Sequence, residues 1–333
     1  MNKREKVLSI LNRKNEGTCA SWIGNPDEKT LEIYNKELNL TSLDELQLHF
    51  DDDCRWLHVD RFYNDGKHNK LFYFGGKEHS LEVRALADIE TVEEIEALDF
   101  GDIKHFDFAP AGRMMEKWQD KAVFSGLWSP FFHDMADLLG MEEYFVKMYT
   151  HPEVIEAITE KIVDIYVAAN ERYFQEYGDK FDTFFFGNDF GTQIDTLISI
   201  DSFKKFVLPS FKRLINIAKK YDKKVILHSC GAISKVIPLI IDAGIDGLHP
   251  IQAKAAGMDA KTLQREFGKD VAFMGGIDTQ DLLVNASPQE IYDEVMRLRD
   301  IFGGNFIASP SHEAILPNVS LKNFEAMVKA IKA

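Results

Sequence analysis

Cysteine is scarce in this sequence: Cys19, Cys54 and Cys230 are its only three in 333 residues. They are too few and too scattered for a disulfide framework. The expectation is a cytoplasmic protein with reduced thiols. Clustered basic charge is missing too. Lys and Arg number 39 against 54 Asp and Glu, a formal net charge of −15. A surface short of cations is a poor partner for nucleic acid, whose phosphates need them. No apolar run approaches the ~20 residues that span a bilayer, so no membrane contact is expected. The N-terminus, MNKREKVLSILNRKN, reads as a charged amphipathic helix with Val7, Leu8 and Leu11 on one side. It lacks the apolar core and small-residue cleavage site of a signal peptide. There are no internal repeats and no low-complexity segments.

Apolar residues make up 45% of the chain, enough for one large domain or two ordinary ones. Residues 17–24 read as a first buried strand, with Cys19 a core residue. Residues 27–60 read as short helices, with Leu31, Tyr34 and Leu38 at helical spacing and Thr41 or Ser42 able to cap a turn. A hairpin is expected over 71–86, around Gly75 and Gly76. Thr91-Val92-Glu93-Glu94 is a capping box that opens a short helix. From residue 122 the pattern becomes regular. Strands are expected at 122–128, 182–189, 225–231, 247–252, 271–278 and 305–312. Helices fall between them at 134–149, 153–177, 201–221 (opened by Asp201), 233–243 (closed by Gly244), 259–267 and 279–302, with a last one over 320–331. Alternating strands and helices predict parallel pairing with right-handed crossovers. The fold class is α/β, a (β/α)8 TIM barrel with an N-terminal helical and hairpin excursion. It is read as one domain over 1–333, with 17–121 the first strand plus decoration and 122–333 the regular units. Seven strands are assigned; the hairpin or a segment near 105–110 is left to supply the eighth. An open doubly wound sheet is the alternative.

The chain's chemistry lies at the strand ends. Val225–Gly231 reads VILHSCG. Residues two apart on a strand share a face, so His228 and Cys230 point the same way. An imidazole and a thiol so placed can chelate a borderline metal such as zinc. The alternative is a buried histidine beside a buried cysteine. In a barrel of this kind the site sits at the C-terminal ends of the strands. Those ends here carry Asn188 and Asp189, His228 and Cys230, His249 and Gln252, Asp278, and His312 with Glu313. Asp189 closes an apolar strand, where it could orient substrate, take a proton, bond a ligand histidine or cap the next turn. His249 is a candidate for substrate contact or for support of a ligand; otherwise it bonds backbone. Asp278 contacts substrate or organises its loop, and Gly275 and Gly276 before it let a ligand approach. Asn188, Gln193 and Gln252 are candidate substrate contacts. Phe184–Phe186 read as barrel packing.

The stretches GNDFGTQ (187–193), LHSCG (227–231), HPIQ (249–252), FMGGID (273–278) and SPSHEAILPNVSLKNFEAM (309–327) together resemble the uroporphyrinogen decarboxylase superfamily. The likeness runs from about residue 122 to the C-terminus. It implies a (β/α)8 barrel and two branches of chemistry. The decarboxylase branch binds a polycarboxylate with an N-terminal arginine-rich motif. Here the first 60 residues hold only Arg4, Arg13 and Arg55, so no turnover of uroporphyrinogen is expected. The cobalamin-linked methyltransferase branch carries zinc on a His-x-Cys motif and a later Cys. His228 and Cys230 match the first part. At the later position stands Ser311-His312-Glu313, so His312 becomes the third expected ligand and Glu313 its rival, ranked lower because strand alternation would turn it away. One thiolate leaves a more Lewis-acidic metal, suited to an ether or amine as well as a thiol. The resemblance thus implies a zinc-dependent methyltransferase, with a small-molecule methyl donor or acceptor. No Asp-x-His-x-x-Gly segment is present, so the cobalamin (corrinoid) is expected from a separate corrinoid protein. The alternatives are a decarboxylase of another substrate and a non-catalytic barrel that binds a corrinoid or small ligand.

Overall fold

Phe184, Phe185 and Phe186 alternate across a strand, and the two faces of that strand have different neighbours. Phe185 packs inward with Trp22, Phe124, Ile226, Met274 and Ile307. Phe184 and Phe186 stack on each other at 4.8 Å on the outer face, within the layer that meets the helices. A strand buried on both faces needs this continuous apolar run, and that is the environment of a parallel barrel strand. A computed structural model of the chain describes residues 1–15, 17–74 and 84–333. It contains eight parallel strands: β1 (Ala20–Ser21), β2 (Cys54–His58), β3 (Ala122–Gly126), β4 (Thr183–Gly187), β5 (Lys224–His228), β6 (Gly247–Ile251), β7 (Ala272–Ile277) and β8 (Phe306–Pro310). Their order is β1-β8-β7-β6-β5-β4-β3-β2, a nearly closed (β/α)8 barrel with helices around it.

The gap between β1 and β2 is bridged by carboxylates. Asp53 N donates to Ser21 O at 3.2 Å. Ser21 N donates to the Asp53 carboxylate at 2.7 Å, and Ile23 N to that of Asp52 at 3.2 Å. Both aspartates are buried. They take main-chain donors that a longer β1 would have paired. The helix Lys3–Leu11 packs on the inner cluster through Val7, Ile10 and Leu11, all fully buried.

Most of the expected elements form. Ser42, not Thr41, caps the helix Leu43–His49, and Thr91 makes its capping box. The expected helix 134–149 is two, Phe131–Leu139 and Met141–Thr150, with Gly140 at φ 83° between them. Ser199 rather than Asp201 opens the next helical stretch, because its hydroxyl accepts from Ser202 N. The eighth strand required a correction. It is neither a hairpin strand nor the 105–110 segment, which is a 3-10 turn and the start of a helix. It is Cys54–His58, inside the stretch read as helical. Arg55 obscured it: this residue is almost fully buried and donates to Cys54 O, with the Asp44 carboxylate 3.6 Å away. Most of the expected hairpin, residues 75–83, lies outside the described residues.

Candidate active site

The ends of β4, β5 and β6 bring the chemical groups together. His228, the last residue of β5, pairs in register with His249 on β6 and Gly187 on β4. Its two ring nitrogens face different partners. Nε2 lies 3.4 Å from Cys230 Sγ and 3.4 Å from an Asp189 oxygen. Nδ1 lies 3.0 Å from His249 Nδ1 and 3.5 Å from a Glu313 oxygen. Two three-residue donor groups result, Asp189–His228–Cys230 and His228–His249–Glu313, each with its ligand atoms within 4.8 Å of one another.

The turn after β5 is held by the same residues. Cys230 N donates to Asp189 Oδ1 at 2.7 Å, and Gly231 N to Gln252 Oε1 at 2.9 Å. Gly231 has φ 86°, and a Cβ there would run into the Gly191 carbonyl. The tight turn is what lets Cys230 fold back beside His228.

Electrostatics follow from burial and these contacts. Burial pushes the Cys230 thiol up, and the Asp189 and Glu313 charges push it further. For Asp189, burial acts upward, but bonds from His133 and His228, the His228 charge and the Cys230 N–H outweigh it and hold the carboxyl well below its usual range. Burial, with His228 and His312 nearby, drives His249 well below an ordinary histidine. It sits neutral between Trp22 and Phe185, at 5.2 and 5.3 Å.

The donor set fits zinc. At zinc–ligand bond lengths, tetrahedral neighbours stand roughly 3.3–3.6 Å apart, and His228 Nε2 is 3.4 Å from both Cys230 Sγ and Asp189 Oδ1. A buried Glu313 oxygen on the other edge has no hydrogen-bond partner. Nitrogen, sulfur and carboxylate together suit zinc better than calcium or magnesium, which prefer oxygen alone.

The other expected site residues divide. His312 belongs to neither donor group. Its ring centroid is 6.4 Å from that of His228, and its Nδ1 accepts from Ala314 N at 3.1 Å. The alternation that ranked Glu313 below it fails because β8 ends at Pro310. Asn188 is fully buried: Oδ1 accepts from Phe132 N, and Nδ2 donates to Ser129 O. It ties the β3 and β4 loops together. Asp278 accepts from the N–H groups of Gln280, Asp281 and Leu282 and pairs with Lys254 at 3.0 Å, so it organises its loop. At Gly275 the missing side chain makes room for the backbone of Pro250 and Ile251. Gln193, Gln252, Asp278 and His312 line a pocket of about 400 Å³ beside the donors.

Three groups escaped the sequence reading. His133 Nε2 lies 3.5 Å from the second Asp189 oxygen. Trp128 packs on His228 with centroids 5.1 Å apart, and Trp56 packs on Trp128 at 5.1 Å. The signal for His133 was weak, a histidine in the first turn of the helix after β3. Trp56 lies in the middle of β2, a strand the sequence did not reveal, and Trp128 lies two residues past the end of β3.

Residues 78–333 match the family described as uroporphyrinogen decarboxylase (URO-D), a match that begins upstream of the motifs read above. The methylated-thiol–coenzyme M methyltransferase of Methanosarcina mazei is 30% identical over 140 residues, covering 41% of this chain and 34% of its own length. The methylcobamide:CoM methyltransferase MtbA of Methanosarcina acetivorans is 20% identical over 225 residues, covering 66% of this chain and 61% of its own. The matched stretches therefore span from a third to three fifths of these relatives. A solved methyltransferase from Methanosarcina mazei superposes with a TM-score of 0.69 over 100% of this chain and 98% of that one, and at 14% identity the likeness is one of fold. With three quarters of its length matched by the family and a barrel of the expected topology, this chain belongs to the uroporphyrinogen decarboxylase family.

Proposed function

We propose that this chain is a zinc-dependent methyltransferase that exchanges a methyl group between a corrinoid and a small thiol, ether or amine. The observation that carries the reading is the convergence of His228 Nε2, Cys230 Sγ and Asp189 Oδ1 at zinc-ligand spacing. The names of the two relatives, both methyltransferases, support it. The pocket beside the donors argues against a polycarboxylate substrate. Lys254, the one lysine or arginine among its lining residues, is already paired with Asp278 and Asp281.

In this reading His228, Cys230 and Asp189 hold the metal, and Glu313 is held in reserve on the opposite edge of His228. The metal would supply Lewis acidity at the heteroatom that gives up or receives the methyl group. His249 contacts Nδ1 of His228 and fixes the ring, as partners of ligand histidines do. His133 contacts the far oxygen of Asp189 and orients that carboxylate. Gln193 and Gln252 border the space where a substrate would sit. The corrinoid would come on a separate protein docked over the strand ends. The whole activity is assigned to one barrel, residues 1–333. A thiol ligand calls for a reducing, cytoplasmic setting.

The test is methyl transfer itself. The purified protein is mixed with methylcobalamin, or a methylated corrinoid protein, and a panel of thiols; the reverse direction uses reduced corrinoid with methylated ethers and amines. Demethylation or methylation of the cobalt, read from its absorption spectrum, is expected in at least one direction. No spectral change with any partner would favour a binding barrel without catalysis.

A further inference from the structure

Both edges of the His228 ring face ligand atoms. Nε2 meets Cys230 and Asp189. Nδ1 meets His249 Nδ1 at 3.0 Å and Glu313 Oε2 at 3.5 Å. The second group, His228–His249–Glu313, keeps its three ligand atoms within 4.8 Å of one another. Two imidazoles and a carboxylate are the protein ligands of one class of open zinc site. The Glu313 Oε2 atom is buried and accepts no hydrogen bond. His249 is fully buried, and its Nε2 has no partner either. In the tautomer where His228 donates across the 3.0 Å contact, His249 presents a lone pair at Nδ1.

The chain builds this edge as firmly as the other. His228 and His249 stand in register on β5 and β6, so neither depends on a loop for its position. Glu313 is tied to the loop after β1, where its carbonyl accepts from Asn25 N at 2.8 Å. That loop comes close because Gly24 has no side chain: a Cβ there would run into the same carbonyl. His312, which lines the pocket beside the donors, has Nδ1 3.6 Å from Glu313 Oε2, so this edge opens toward the pocket.

Charge calls for more than one cation. Among the described residues, the ion-pair partners of Asp189 and Glu313 are histidines: His133, His228 and His312. A divalent ion at Nε2 offsets the Cys230 thiolate and Asp189, and leaves the Glu313 carboxylate without a permanent cation.

We propose that the Nδ1 edge is a second metal seat, where His228, His249 and Glu313 hold a divalent first-row ion such as zinc while Nε2 of the same ring serves the first. Filling it breaks the His228 Nδ1–H bond, sends that proton to solvent and forms a nitrogen–metal bond with the electron pair left behind. The ring becomes a bridging imidazolate. Two divalent ions then balance the four negative charges of Asp189, Cys230, Glu313 and His228. The two Nδ1 atoms must part from 3.0 Å to the roughly 3.3 Å of neighbouring zinc ligands. Magnesium and calcium, which prefer oxygen alone, do not suit two imidazoles. The second ion binds more weakly than the first, because a proton must leave and two dications share one ring. It fills when metal is added beyond the first equivalent. The seat stands whether or not the chain transfers methyl groups.

The test titrates metal-free, full-length protein with Co(II) under anaerobic, reducing conditions. A thiolate ligand gives cobalt a charge-transfer band; nitrogen and oxygen ligands give only d–d bands. About two equivalents are expected to bind, the first with the charge-transfer band and the second without it. The magnetic susceptibility of the two-cobalt form should fall below the sum of two isolated ions, because His228 bridges them. Glu313→Gln should keep the first step and weaken the second at least roughly tenfold. His312→Ala should leave both steps in place. A single equivalent in the wild type overturns the proposal, as does a second step that survives Glu313→Gln or is abolished by His312→Ala. Two steps without magnetic coupling overturn the bridge and with it the shared seat. A d–d step that depends on Glu313, with no charge-transfer step, would support the seat and remove Cys230 and the zinc-dependent methyl-transfer reading instead.

Discussion

The Nδ1 atoms of His228 and His249 lie 3.0 Å apart, across the register pair that joins β5 to β6. Two imidazole nitrogens at that distance need one proton between them. His249 is fully buried and kept neutral among Trp22 and Phe185. When His228 donates, its Nε2 is left as a lone pair facing the sulfur of Cys230 and an oxygen of Asp189. Three electron-rich atoms then converge, and a cation is the natural occupant.

The ligand set can be ordered by mutation. Asp189→Asn is expected to weaken zinc binding by about 10- to 100-fold, the scale of losses at metal sites. Glu313→Gln should follow if the opposite edge of His228 takes part. His312→Ala should change zinc affinity least, because its ring is turned to Ala314 N. Competition with a chelator measures all three, and a dominant loss in His312→Ala would restore that residue as a ligand.

Zinc affinity should depend on pH. Burial and the Asp189 and Glu313 charges keep the Cys230 thiol protonated in the metal-free protein. Zinc uptake must release that proton, so apparent affinity should climb about tenfold per pH unit between about pH 6 and about pH 8. Chelator competition across that range reads the slope. A flat profile would show that the thiol is not a ligand.

What the sequence made legible follows from where the information lies. β3 to β8 were readable because each is an apolar run buried on both faces and closed by polar residues, as in Phe184–Phe186 before Gly187-Asn188-Asp189. β2 was not, because Arg55 is a charged residue at a buried strand position whose partner, Asp44, lies in another element. β1 is only two residues long, and the carboxylates of Asp52 and Asp53 that complete its pairing are non-local. His228 with Cys230 could be read from spacing alone. Asp189 was visible as a misplaced carboxylate, though not its bond to Cys230 N. Glu313 was misjudged because alternation holds only while the strand continues, and Trp56, Trp128 and His133 join the site only when the barrel closes.

Asp52 should make stability depend on pH. Burial, opposed by Arg55 and the Ile23 N–H, raises its carboxyl from 3.8 to about 7. The unfolded chain ionises it near the ordinary value. Its contribution is therefore complete below about pH 4 and is lost as the pH rises through about 7. At ~1.36 kcal/mol per pK unit the full swing is on the order of 4 kcal/mol. Asp52→Asn stays neutral throughout. In denaturant melts from about pH 4 to about pH 8, the stability difference should move toward the variant as pH rises. A constant difference would show that Asp52 is ionised in the folded protein.

Leu11 should matter to stability although it is far from the site. It is fully buried against the inner cluster, on the helix that covers the end of the barrel opposite the mouth. Leu11→Ala is expected to cost about 3 kcal/mol, with no change in zinc affinity. Denaturant melts and chelator competition together check both parts.

The most direct measurement is the zinc content of the protein purified under reducing conditions, in wild type and in Cys230→Ala. About one zinc per chain is expected in the wild type, and less than about a tenth of that in the variant, with its fold retained. Equal zinc in the two proteins, or a metal-free wild type that still transfers methyl groups, would contradict the metal site on which the proposed activity rests.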